Sequence, residues 1–168
     1  LYNMSVDVSD PAIRATWEDL SQKDGDKNWA LFGLNASNKL EVMGCGTGGF
    51  NEFKASLDQS RVAFGILLVH GVDDRGTTVS RRSKFVFLTY IGPNMSVLKK
   101  ARVSVQREEV QRLFEGIQVS VDIEDDVTIS DIAEKLLACG GAHKPGYYDF
   151  GPGDDQNYVL DFYVGGDK

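Results

Sequence analysis

Residues 80–92 read SRRSKFVFLTYIG, which places a basic stretch directly before one of the most apolar segments of the chain. A second such segment, RVAFGILLVH, covers residues 61–70. Near-continuous apolar runs of this length are typical of strands that are covered on both faces. The two segments therefore predict the centre of a sheet that has helices on both sides.

Shorter patterns on either side predict the remaining elements. Ser9-Asp10-Pro11 begins a helix, because a capping side chain followed by Pro is typical of a first helical turn. The order predicts an α/β chain of the α+β type, with one mixed sheet sandwiched between helices. The predicted elements are a helix from residue 9, strands 28–34 and 39–44 joined by a turn, a short helix at 50–57, strands 61–70 and 84–92, a helical region at 94–116, a strand at 117–123, and a helix from 128 or 130 to 140.

The helical region at residues 94–116 has an apolar pattern that changes register. An apolar stripe that shifts along a helix indicates a kink. We therefore expect a break near residues 103–107. The first predicted face consists of Leu98, Ala101 and Val105, and the second of Val110, Leu113, Phe114 and Ile117.

The charge of the chain is distributed unevenly. The formal net charge is −7, which disfavours nucleic acid as a partner. Between Arg75 and Arg112, however, nine basic residues stand against two acidic ones. A cationic middle segment in an acidic protein predicts a directional surface that meets an acidic partner.

Two groups of these cations flank the strand at 84–92. Arg81, Arg82 and Lys84 stand at its beginning, and Lys99, Lys100 and Arg102 follow it in the next helix. A strand of nine residues separates its two ends by about 30 Å. This separation favours an extended footprint on a large, repetitive acidic surface over a compact ligand pocket.

Motifs for catalysis, cofactors or metals are not convincing. Residues 44–49, GCGTGG, match the dinucleotide fingerprint, but a hairpin precedes them and only a short helix follows. His70 and His143 lack triad or metal-ligand spacing, and the acidic residues 124–126 lack the spacing of a calcium loop. We expect Cys45 and Cys139 to be buried, reduced thiols. The sequence therefore predicts no enzyme, no cofactor and no metal site.

Membrane segments are also not expected. The longest apolar run, residues 62–69, is shorter than the roughly 20 residues that span a bilayer. The N-terminal residues lack the basic-then-apolar pattern of a secretory signal. We therefore predict no transmembrane segment.

Several stretches in the correct order resemble the ADF/cofilin homology (ADF-H) family, and within it the coactosin-like group. The resemblance covers residues 5–149 and implies a single domain with a mixed sheet of five or six strands between helices. Residues 5–145 would form this domain, residues 1–4 would precede it, and residues 146–168 would form a C-terminal tail containing aromatic residues. The stretches are NWALFGL (28–34), GCGTGGFNEF (44–53), RVAFGILLVHGVDD (61–74), SRRSKFVFLTYIGPNMSVLKKARV (80–103) and LLACGGAHKPGYYD (136–149).

The resemblance implies a non-enzymatic protein that binds actin filaments in the cytoplasm, at the actin cytoskeleton. Coactosin-like proteins bind monomeric actin weakly and do not sever filaments strongly. The filament-contacting lysine of the family falls on Lys84, with Arg82 and Arg81 as supporting cations. The loop 70–79 would belong to the same face, and Lys99, Lys100 and Arg102 would form a further candidate actin surface. A phosphoinositide-binding module and an adaptor for another acidic protein remain alternative uses of the same cations.

Three features depart from the family pattern. Val103-Ser104-Val105 replaces a small, polar turn, so the monomer-binding property is not transferred. Ser5 does not match the surroundings of the regulatory serine of cofilin. In the tail, residues 157–164 read NYVLDFYV, which predicts a strand that docks on its own domain or on a second copy, giving self-association.

Overall fold

The sheet of this computed structural model, which describes residues 5–141 and 144–160, contains seven strands in those residues. A path of five strands runs in the order β2-β1-β3-β4-β5; β6 pairs with β3, and β7 pairs with β6. The β4–β5 pair is parallel and the other named pairs are antiparallel. The predicted fold class is therefore confirmed. The strands are β1 (Trp29–Leu34), β2 (Leu40–Gly46), β3 (Val62–Asp74), β4 (Val79–Ile91), β5 (Ile117–Ile123), β6 (Tyr147–Asp149) and β7 (Asn157–Val159).

Four helices in the described residues cover the two faces of the sheet. They are α1 (Pro11–Ser21), α2 (Gly49–Ala55), α3 (Val97–Gln111) and α4 (Ile129–Cys139). The side chains of α1 and α3 share one apolar core, which includes Phe32, Phe64 and Phe87 of the sheet. The side chains of α2 and α4 share a second core on the opposite face, with Leu67 and Leu88. None of these helices has the length and hydropathy that a membrane span requires.

The first helix follows the sequence prediction. The Asp10 side chain accepts a hydrogen bond from the backbone N–H of Ala12 at 2.9 Å, and Pro11 occupies the first turn. Ile13, Trp17 and Leu20 are buried at the predicted helical spacing. Local capping and periodicity therefore specify this helix.

Helix α3 differs from the prediction, because it runs unbroken from Val97 to Gln111. Its buried stripe consists of Val103, Gln106 and Val110, whereas Leu98 and Val105 are exposed. Gln106 donates a hydrogen bond to the side-chain oxygen of Asn38 at 3.4 Å, so a polar residue belongs to the inward stripe. With Gln106 included, the inward stripe keeps one register along the whole helix. The predicted kink and the predicted face of Leu98, Ala101 and Val105 are therefore wrong.

The central strands are longer than predicted. β3 extends to Asp74 and β4 begins at Val79, so most of the predicted loop 70–79 is paired strand and only a tight turn joins the two. In this turn the Asp74 carboxylate accepts from the backbone N–H of Gly76, whose φ is 83°. The basic residues at 81–84 consequently lie inside β4 rather than at its entrance.

The cysteine prediction is partly wrong. Cys45 and Cys139 are free thiols, but both are exposed rather than buried. Cys45 lies near the end of edge strand β2, and Cys139 is the last residue of α4.

Part of the predicted tail contributes to the sheet. β6 pairs with residues 70–72 of β3, and β7 pairs with β6. Phe150 and Leu160 are buried in the core of α2 and α4, where the ring of Phe150 meets that of Phe50 edge to face. The buried Gln156 accepts from the backbone N–H of Asn51 at 3.0 Å, which ties this segment to α2.

Substituting Phe150 by alanine tests the contribution of this segment to the fold. Phe150 is fully buried, so Phe150→Ala is expected to lower the free energy of unfolding by about 3–5 kcal/mol. Val159→Ala, at a residue that is 57% exposed, is expected to change it by less than about 0.5 kcal/mol. Urea unfolding of both variants measures the difference, and equal stability of Phe150→Ala and wild type would show that the segment does not support the core.

Candidate binding surfaces

The six cations singled out in the sequence lie on two elements, β4 and α3. In β4, Lys84 pairs with Val69 and stands two residues before Val86; both valines belong to the core of α2 and α4. Because successive side chains of a strand alternate between faces, Arg82 and Lys84 share this face. Arg81 therefore points to the face of α1 and α3, and the structure does not bring the three cations together.

Arg81 is held by an ion pair with a residue far along the chain. Its guanidinium donates to a carboxylate oxygen of Asp149 at 2.8 Å. Asp149 belongs to β6, where it stands opposite His70 of β3. The two partners are 68 residues apart in the chain, so no local pattern indicates their contact.

His70 adjoins this ion pair and is half-buried. Burial lowers the pKa of His70 below its usual value of 6.5; the Arg81 guanidinium lowers it further, and the Asp149 carboxylate partly opposes this shift. The neutral imidazole is thus favoured in the folded protein. His70 is therefore part of a small charged cluster on the α1 and α3 side of the hairpin.

Arg82 and Lys84, which we call the hairpin surface, differ from the neighbouring cations. Arg75 pairs with Asp73 and Arg81 with Asp149, whereas neither Arg82 nor Lys84 has an ion pair within the described residues. Arg82 is exposed and Lys84 is partly exposed. The hairpin surface therefore carries two positive charges that are available to a partner.

A second candidate surface lies at the beginning of α3, where the Ser96 hydroxyl caps the helix by accepting from the backbone N–H of Lys99. Val97 and Leu98 are 83% and 58% exposed at the first turn. Together these two side chains form a small exposed apolar patch among cations. The α3 surface comprises Val97, Leu98, Lys99, Lys100 and Arg102, of which Arg102 is partly buried.

The two surfaces are separated along β4, one inside the strand and the other beyond its last residue. Lys99 and Arg102 line a groove beside Val62, which pairs with Ile91 at the last position of the strand. Lys84 lies seven residues earlier, which corresponds to about 23 Å of strand. The surfaces also belong to opposite layers of the fold, so one compact ligand does not reach both.

The glycine-rich segment 44–49 is occupied by contacts within the protein. The backbone N–H groups of Gly48 and Gly49 donate to the side chains of Glu52 and Asn28, and that of Phe50 donates to the carbonyl of Phe150. These are the donors at the start of α2 that would otherwise bind a phosphate. Gly49 has a φ of 74° and packs so closely on residues 150 and 151 that a Cβ would overlap them. Residues 44–49 therefore form a closely packed connection between β2 and α2.

Metal-binding clusters of three or more His, Cys, Asp or Glu side chains do not occur among residues 5–141 and 144–160. His143 lies outside the described residues. The arrangement of side chains on both surfaces is suited to binding by charge and apolar contact.

Comparison with known proteins assigns the chain to a family. Residues 5–137 match the family model described as "Cofilin/tropomyosin-type actin-binding protein". Coactosin from Dictyostelium discoideum is 32% identical over 144 residues, which cover 84% of this chain and 96% of that protein. A drebrin-like protein from Mus musculus is 26% identical over 160 residues, which cover 89% of this chain and 35% of that protein.

Solved structures show the same fold. The structure of human coactosin-like protein matches with a TM-score of 0.70 at 21% identity. The match covers 85% of this chain and 96% of the human chain. The crystal structure of coactosin from Entamoeba histolytica matches with a TM-score of 0.69 at 24% identity. The match covers 83% of this chain and all of the Entamoeba chain. The predicted resemblance to the ADF-H family and its coactosin-like group is confirmed.

Replacement of His70 tests the environment of the charged cluster. Because the pKa of His70 is lower in the folded than in the unfolded protein, the unfolded protein binds more protons as the pH falls below 6.5. The contribution of His70 to the free energy of unfolding is therefore greatest above pH 6.5. It declines as the pH falls toward the pKa of His70 in the folded protein. In urea unfolding at pH 7.5 and pH 5.5, we expect wild type to lose more stability than His70→Gln. The same loss in both proteins would contradict this assignment.

Proposed function

The chain belongs to the cofilin/tropomyosin-type family of actin-binding proteins, a non-enzymatic family, and we propose that it binds the side of actin filaments. Binding to actin monomers is weak and strong severing does not occur, in the manner of the coactosin-like group. The protein would act in the cytoplasm at the actin cytoskeleton. The observation that carries this proposal is the presence of two separated cationic surfaces, the hairpin surface and the α3 surface.

Two separated surfaces favour a polymer over a single subunit. With about 23 Å of strand between them, the hairpin surface and the α3 surface can contact neighbouring actin subunits of one filament. Once one surface is bound, the second is held at a high effective concentration near its own target. A monomer engages one surface only, so this gain is lost and binding is weak.

The hairpin surface supplies charge on a rigid support. Lys84 and Arg82 lie on the thirteen-residue ladder between β3 and β4, which fixes their positions. An exposed ion pair contributes about 0–1 kcal/mol and is screened by salt. Filament binding is therefore expected to depend on several contacts and to weaken as the salt concentration rises.

The α3 surface supplies apolar area in addition to charge. Val97 and Leu98 project from the first turn of α3 beside Lys99 and Lys100. Apolar side chains that become buried on binding provide more affinity than rim charges do. We therefore assign Lys99, Lys100 and Arg102 a supporting role around Val97 and Leu98.

Substitution of the hairpin cations tests the first surface. Lys84→Ala and Arg82→Ala are each expected to weaken co-sedimentation with filaments by about two- to fivefold at low salt, because each removes one exposed ionic contact. Arg81→Ala is expected to have less effect on binding, since Arg81 is paired with Asp149. Arg14→Ala on α1, where Arg14 pairs with Glu18 of the same helix, is the charge-matched control.

The outcomes separate the alternatives. Equal pelleting of wild type, Lys84→Ala and Arg82→Ala would support actin binding but would show that the hairpin surface does not take part in it. Absence of wild-type pelleting would overturn the proposed function. In that case, binding to vesicles that contain a phosphoinositide would favour the phosphoinositide alternative, and its absence would favour an adaptor for another acidic protein.

Substitution on α3 tests the second surface. Leu98→Ser is expected to reduce filament affinity by about fivefold or more, because it removes apolar area without disturbing the core. Val159→Ser is the matched control, since Val159 is exposed to a similar extent on β7, away from α3. Co-sedimentation measures both variants, and an unchanged urea midpoint verifies that each is folded. Loss of binding in both variants alike would argue against a defined α3 surface.

Self-association through residues 157–164 stays a prediction. Tyr158 and Leu160 pack on the core of their own domain. Residues 161–164 lie outside the described residues.

A further inference from the structure

One side of β4 is unpaired along residues 79–84, which we call the arm. β3 pairs with β4 along its whole length, but on the other side β5 pairs only with residues 85–90. No other strand of the described residues lies against that side of the arm. An unpaired strand edge presents backbone N–H and C=O groups to which a further strand can bind.

The register of the sheet determines which residues of the arm present these groups. The carbonyl of Val72 accepts from the backbone N–H of Gly146, so the backbone groups of Val72 point away from β4. Arg81 stands opposite Val72, and the two therefore form a non-hydrogen-bonded pair of the ladder. The backbone groups of Arg81 consequently point to the unpaired edge, and those of Ser83, two residues further on, do the same.

The side chains of the arm select the charge of an added strand. Arg82 and Lys84 share one face of the sheet and have no ion pair within the described residues. Opposite charges that face one another across two strands stabilise the pairing, and like charges destabilise it. The arm of a second copy would set cations against cations, whereas an acidic segment would set a carboxylate against each cation.

We propose that the arm binds an extended acidic segment of a partner protein as an additional antiparallel strand beside β4. Alternate residues of this segment are acidic and lie opposite Arg82 and Lys84. The intervening residues exchange backbone hydrogen bonds with Arg81 and Ser83. Backbone hydrogen bonds supply affinity in strand addition, and alternate side chains supply specificity. Binding of this kind goes beyond the proposed filament binding and does not require it.

A short peptide of alternating Thr and Glu, blocked at both ends, is the probe. In the proposed register the backbone groups of its Thr residues face β4 and those of its Glu residues face away. N-methylation of the Thr residues therefore removes the hydrogen bonds to β4 and leaves the charge unchanged, and N-methylation of the Glu residues is the matched control. Each peptide is titrated into the full chain while the backbone amide NMR signals of Arg81 and Ser83 are followed. We expect methylation of Thr to weaken binding by about tenfold or more, and methylation of Glu to have little effect.

Substitutions in the arm test the backbone and the charges separately. Ser83→Pro removes an N–H group on the unpaired edge, where proline is compatible with a strand, and is expected to weaken peptide binding by about tenfold. Ser83→Ala keeps this group and is expected to bind like wild type. The double substitution Arg82→Glu and Lys84→Glu is expected to reverse the preference toward a peptide of alternating Thr and Lys. Urea unfolding verifies that the variants are folded.

Three outcomes would overturn the proposal. The peptide does not bind; the two methylated peptides bind equally, so that charge alone accounts for binding; or the peptide shifts the signals of Lys99 and Lys100 instead of those of the arm. Co-sedimentation of wild type with filaments is a separate measurement. Failure of strand addition is therefore distinguishable from failure of the proposed function.

Discussion

The pairing of β3 with β4 is the interaction on which the rest of the structure depends. Thirteen successive residue pairs, from Val62 opposite Ile91 to Asp74 opposite Val79, join the two strands. Both apolar cores are built on the central part of this ladder, one on each face. A slip by one residue would exchange the two faces and turn core side chains toward the wrong helices. The same register decides where every cation of β4 points.

Alternation along β4 explains why neighbouring cations have different roles. Arg81 and Arg82 are adjacent in sequence, but one is ion-paired with Asp149 and the other is exposed on the opposite face. A basic stretch therefore does not act as a single charged patch when it lies within a strand. Under the proposed function, the part of the stretch that meets actin is limited to the two residues that share one face of the sheet, Arg82 and Lys84.

Local patterns predicted the central sheet, the capped helix α1 and the order of the elements, because apolar periodicity and capping residues act over a few positions. They did not predict that β3 continues past His70 to Asp74, or that β4 begins before Lys84, at Val79. These extensions are mostly polar, and the one in β3 pairs with β6, which lies far along the chain. The inward face of α3 was missed because it includes Gln106. For the binding surfaces, the sequence identified the cations, but their pairing required the structure: Asp149 lies 68 residues from Arg81.

The long ladder also has a mechanical consequence. A load applied between Lys84 and the beginning of α3 runs along the backbone of β4, parallel to the strand. Between Phe85 and Tyr90 this strand is held on both sides, by β3 and by β5. A strand rises about 3.3 Å per residue against a limit of about 3.6 Å for a fully extended chain, so the covalent backbone carries this load and the segment can lengthen only slightly. The domain therefore resists extension along this axis, and it can transmit tension when the two surfaces are attached to different bodies.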